Sequence, residues 1–99
     1  MRTRTSVRRS RLRRESIRIL HARPSATLQE LAHALGASPS RASAILVGGL
    51  PDFRAEHGLV SLGIVREVRS RVGIEFELTE IGRAEAEILA TAAEAGRLL

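Results

Sequence analysis

Ninety-nine residues hold one domain with a single modest hydrophobic core and leave no room for two ordinary ones. With 43% hydrophobic and 27% charged residues the chain is of globular rather than disordered or fibrous composition, and its lack of cysteine excludes disulfides, thiolate metal sites and thiol nucleophiles. The net charge of +5 is unevenly spread, with nine arginines against one glutamate in residues 1–23 and six glutamates against two arginines in residues 74–99, so a polyanion suits the front of the chain only.

Residues 1–14 read as an Arg-rich N-terminal arm and residues 15–99 as the folded domain. Arg2, Thr3, Arg4, Thr5 and Ser6 offer no apolar periodicity. A first helix is predicted from between Ser6 and Ser10 to His21 or Ala22, with Leu12, Ser16, Ile17, Ile19 and Leu20 inward, and Pro24 stops it. Thr27-Leu28-Gln29-Glu30 is a capping box, and Leu28, Leu31, Ala32 and Leu35 then share one helical face. Gly36 supplies a left-handed end. Ser38 as cap and Pro39 in the first turn open a third helix that faces inward through Ala42, Ile45 and Leu46.

Gly48-Gly49 and Pro51 weaken that helix, and Asp52 is placed to cap a further short one from Phe53 to about Leu62. After Gly63 the pattern turns to strands. Ile64 to Arg69 and Ile74 to Thr79 are β-rich runs joined by Ser70-Arg71-Val72-Gly73, and Ile74, Phe76 and Leu78 alternate with Glu75, Glu77 and Thr79 as one buried face requires. A last helix is predicted from Thr79 to about Ala95, with Ile81, Ile88, Leu89, Ala92 and Ala95 as an apolar stripe.

From Leu28 to Ile45, two short helices meet around a tight connection, with Ala32 small enough for close approach and Gly36 at the turn. Any antiparallel helical pair in a core shares some of this patterning. This one resembles the helix-turn-helix of bacterial and archaeal regulators. The order of helix, helix-turn-helix, two-stranded hairpin and helix resembles the winged helix-turn-helix, an α+β, mostly α architecture of three-helix core, wing hairpin and C-terminal helix. Leu78-Thr79-Glu80-Ile81-Gly82 is similar to the strand-to-helix junction of winged-helix repressors, and Leu62-Gly63-Ile64-Val65 to the lead-in of the wing. The stretch between Gly36 and Leu62 is several residues longer than a recognition helix needs, so the groove-reading helix is either 38–47 or 52–62.

The resemblance implies duplex DNA as partner. Ser38, Ser40, Arg41 and Ser43 then lie on the outer side of the third helix, Arg41 toward a guanine edge or a phosphate and the serines toward phosphate or water. Arg69, Ser70 and Arg71 form the wing tip. Arg2, Arg4, Arg8, Arg9, Arg11, Arg13 and Arg14 concentrate cations that neutralise phosphates, and RNA or an acidic protein would satisfy them too. With Phe53 and Phe76 as the only aromatics there is no stacking platform for single strands. Similarity to arsenical-resistance-type and multiple-antibiotic-resistance-type repressors implies a homodimer formed through Ile81, Ile88, Leu89 and Ala92.

His21, His33 and His57 lack zinc-ligand spacing, and Asp52, Glu56 and His57 are the sole candidate polar cluster, so no cofactor or metal is expected. Phosphate loop, nucleophile elbow and acid pair are all missing, which points away from an enzyme. No run has the length of a membrane span and no secretory core follows the basic start, so a cytoplasmic, nucleoid-associated protein is expected, although the acid-poor first dozen residues resemble a mitochondrial transit peptide. The reading is a sequence-specific regulator, a repressor by preference. A non-specific architectural DNA-binding protein and a winged-helix protein-interaction module stand as alternatives.

Overall fold

The computed structural model describes residues 11–48 and 58–98, with side chains as far as Ala92. Helix α1 (Arg11–Ala22) buries Ile17 and Leu20, and Leu12 and Ile19 pack at the rim of the same core. Ser16 is tolerated there because its hydroxyl donates back to the Leu12 carbonyl at 2.8 Å. Arg13, read from sequence as part of the basic arm, is instead 8% exposed on the packed side of this helix.

Ala26 and Thr27 form strand β1 (Ala26–Thr27), which the sequence reading did not anticipate. Thr27 is the N-cap of α2 (Leu28–Leu35), with φ −75° and ψ 165°. A cap needs extended backbone, and extended backbone presents its polar groups to a neighbouring strand. The sheet therefore has three antiparallel strands, not two. In the order β1-β3-β2 it joins β1 to the hairpin of β2 (Val65–Ser70) and β3 (Gly73–Leu78), with Ala26 opposite Phe76 and Thr27 opposite Glu75.

The capping box is formed as expected: the Glu30 N–H donates to Thr27 Oγ1 at 3.2 Å, and the Thr27 N–H to Glu30 Oε1 at 2.9 Å. Arg23 adds an ion pair to Glu30 Oε2 at 2.8 Å. The Thr27 backbone N–H, and after it Arg23, hold the Glu30 carboxyl below its usual range. A depressed carboxyl stabilises the fold above the ordinary carboxylate range and loses that contribution as pH falls through the lowered value. Thr27→Ala is expected to cost about 1 kcal/mol in chemical denaturation at neutral pH; an unchanged midpoint would contradict the cap.

Gly36 ends α2 in the left-handed region (φ 65°, ψ 32°), and Ser38 caps α3 (Pro39–Val47) by accepting the Arg41 N–H at 3.2 Å. Helix α3 buries Ala42, Ala44, Ile45 and Leu46. Residues 58–62, expected as the end of a helix starting at Phe53, form turns instead. The N–H groups of Leu59 and Val60 donate to the Ile45 and Leu46 carbonyls at 3.1 and 2.9 Å, so this segment satisfies the open end of α3, and fully buried Leu59 enters the core beneath it. Asp52, Phe53, Glu56 and His57 lie outside the described residues.

In the hairpin, register brings Ser70 opposite Gly73 and shortens the connection to Arg71-Val72. Val65, Phe76 and Leu78 are buried, but Ile74, expected inside with them, is 47% exposed. Strand β1, the other neighbour of β3, pairs only with Phe76 and Glu75, and Ile74, next to the turn, projects beyond the core. The C-terminal helix α4 (Glu80–Leu98) packs on α1 and against β3, burying Gly82, Glu85 and Ala86, with Gly82 close to the Ile64 carbonyl. Glu85 is buried on this packed side, at 3% exposure, although it is no part of the apolar stripe.

Candidate nucleic-acid interface

Among the described residues, helix α3 is seated by its inner side. Ala42 and Ala44 let it approach the core closely, while Ile45 and Leu46 fill the space beneath. The opposite side presents Ser38, Ser40 and Arg41 to solvent, and Ser43 is half-buried at its edge. Ser38 accepts the Arg41 N–H and keeps its own hydroxyl proton as an outward donor. The outer face thus offers one long cationic side chain among short hydroxyls.

The wing is polarised along its length. Toward its base Arg66 pairs with Glu77, and Ser25 donates to Glu75 Oε1 at 3.0 Å, tying the α1–β1 connection to β3. At the tip Arg69 and Arg71 are exposed and have no ion-pair partner among the described residues. Ser70 is used inside the turn: its hydroxyl accepts the Val72 N–H at 3.2 Å and donates to the Gly73 carbonyl at 3.3 Å. Arg11 lies exposed at the start of α1, and Arg2, Arg4, Arg8 and Arg9 fall outside the described residues.

Two sequence words meet at the foot of the wing. The Thr79 N–H donates to the Ile64 carbonyl at 3.0 Å, its hydroxyl donates to the Gly63 carbonyl, and that hydroxyl accepts the Gly82 N–H at 3.0 Å. One threonine therefore caps α4 and fastens the lead-in of β2 to it.

A family model described as EarA-like matches residues 4–89, a span that takes in α1, the paired helices α2 and α3, the whole wing and the first half of α4. The chain belongs to the EarA-like family. A crystal structure of a MarR family transcriptional regulator from Silicibacter pomeroyi is similar to this EarA-like chain, with a TM-score of 0.65 and 24% identity over 86% of this chain and 54% of that one. The likeness establishes the winged-helix fold, and the EarA-like chain spans about half the length of that regulator. No curated protein sequence matches it.

On the EarA-like fold the exposed side of α4 carries Ile81 at 51% and Ile88 at 45%, with Ala92 exposed beyond them, while Leu89 packs partly on the core. Ala95 is outside the described side chains. His21 and His33 are exposed near the ends of α1 and α2. No described helix is long and apolar enough to cross a membrane. The apolar character of the wing tip, where Val72 is 78% exposed, was not legible by periodicity, because the turn that exposes it is set by the register of the strands.

Proposed function

We propose that this chain is a duplex-DNA-binding regulator of transcription, working in the cytoplasm on the nucleoid as a homodimer. Helix α3 enters the major groove with Ser38, Ser40, Arg41 and Ser43 toward the DNA. The wing tip holds the duplex through Arg69 and Arg71, and Arg2, Arg4, Arg8, Arg9 and Arg11 add salt-dependent affinity. The observation that carries the reading is the mounting of α3, apolar and anchored on one side and polar and open on the other. Residues 58–62 form turns rather than a helix and bury Leu59 in the core, which favours α3 over the later segment as the reader.

Repression by occupying an operator follows if the binding is sequence-specific. The scarcity of long side chains on the outer face of α3 favours a second reading, an architectural protein that coats DNA, because serines discriminate bases weakly. Selection of bound duplexes from a random pool, followed by competition against unselected duplex, separates the two. A recovered motif that outcompetes random duplex about 1,000-fold or more supports the regulator. A pool that stays random contradicts it and leaves the coating protein.

Dimer formation is proposed through the exposed face of α4. Ile81 and Ile88 lie one turn-pair apart on a helix whose opposite side already covers the core. Light scattering is expected to give the mass of two chains at micromolar concentration, and Ile88→Glu to give one, with the helical signal retained. A single-chain mass for the unaltered protein would remove the dimer.

A further inference from the structure

Val72 is the most exposed of the large hydrophobic side chains described, and Ile74 close by is also open to solvent. Turn chemistry does not ask for either. Tight hairpin connections favour Asn, Asp and Gly, and the positive φ of this one is taken by Gly73 at 119°. The register places Arg69 directly opposite Ile74 on one face, while Arg71 adjoins Val72 in the turn. At the tip each exposed hydrocarbon side chain therefore has an arginine beside it.

A wing resting on phosphates needs cations only. Hydrocarbon between cations suits a cleft with anionic walls and an apolar interior, and the minor groove of duplex DNA, about 6 Å wide, has that character, with sugar edges between two phosphate rows. Apolar wedges in that groove part a base step and kink the duplex, most readily at pyrimidine–purine steps. We infer that the wing enters the minor groove tip-first, with Val72 wedged at a base step, Ile74 against the sugars and Arg69 and Arg71 on the walls, so that binding bends the DNA. The inference rests on the duplex-DNA reading above and adds to it a deformation of the partner.

The test uses the full chain on two end-labelled duplexes, one random and one with central TA steps, reading affinity by anisotropy and bending by energy transfer between the ends. The unaltered protein is expected to bend the TA duplex by about 20° or more. Val72→Ser is expected to lose more than half of that bend while its salt slope is retained, and Arg71→Gln to lower the slope by about 0.9. A melting temperature of Val72→Ser equal to that of the unaltered protein shows that the fold is intact, and Val72→Ala repeats the test without a new hydroxyl. Tight binding without bending, or equal bending by both Val72 variants, overturns the wedge and leaves the DNA reading standing. Absence of binding overturns both. A light-scattering mass that falls in Val72→Ser would show a second copy covering the tip, which also overturns the wedge.

Discussion

Gly82→Ala is expected to destabilise the domain by about 3 kcal/mol or more, lowering its melting temperature by roughly 12–24 °C. A Cβ at this position would be driven into the Ile64 carbonyl oxygen, and would also approach the Ile64 carbonyl carbon and Leu78 Cδ2 at 3.1 Å each. Two of these three atoms are backbone, so a side-chain rotation gives no relief. The start of α4 would have to move off the lead-in of β2, breaking the bonds from Thr79 to Gly63 and Ile64 that fasten the wing. Gly36→Ala is the comparison: nothing lies within 4 Å of its Cβ, and the cost is that of a left-handed residue alone, about 1–2 kcal/mol. Thermal unfolding of the two variants should rank Gly82→Ala clearly below Gly36→Ala. The reverse order would mean that α4 and the wing are not packed as described.

The second large effect is on binding. Replacing Arg2, Arg4, Arg8 and Arg9 together by glutamine is expected to make the dependence of log affinity on log salt shallower by up to about 3.6, since each phosphate neutralised contributes about 0.9. The melting temperature is expected to be unchanged, because glutamine keeps a polar side chain at each of the four positions. Preference among duplex sequences should also persist, because phosphate contacts position the protein without reading bases. Anisotropy titrations over a salt series give the slope directly. An unchanged slope would show that these arginines serve something other than the DNA backbone.

Much of the fold was legible because local chemistry and global packing agree. Thr27 and Glu30 announce their capping box at the required spacing, and Ser38-Pro39 opens α3 where an N-cap and a first-turn proline belong. Phe76 and Leu78 alternate with glutamates and are buried. Ile74 obeys the same alternation and is exposed, since alternation defines a face but not how far the covering layer extends. Strand β1 was invisible because two residues have no period. The apolar run Leu59, Val60 and Leu62 suits a helix as well as the turns observed, and the choice was made by the unsatisfied carbonyls at the end of α3. Arg13 sits in a run of arginines whose neighbours are less buried, and only the packed side of α1, which it shares with Ser16, Ile17 and Leu20, sets it apart.

The candidate interface was legible in outline and not in detail. Arg41, Arg69 and Arg71 are exposed where the helix-turn-helix and wing patterns place them. The sequence did not reveal that Ser70 shapes its own turn, that Ser43 is half-buried, or that Val72 stands at the apex.

The proposed function puts duplex DNA on the outer side of α3 and the tip of the wing. Titrating a short duplex into the isotopically labelled chain and following every backbone amide tests it most directly. The largest shifts are expected on residues 38–43 and 69–74, with α2 and the exposed side of α4 little changed. Shifts concentrated on α4, or none at low salt, would contradict it.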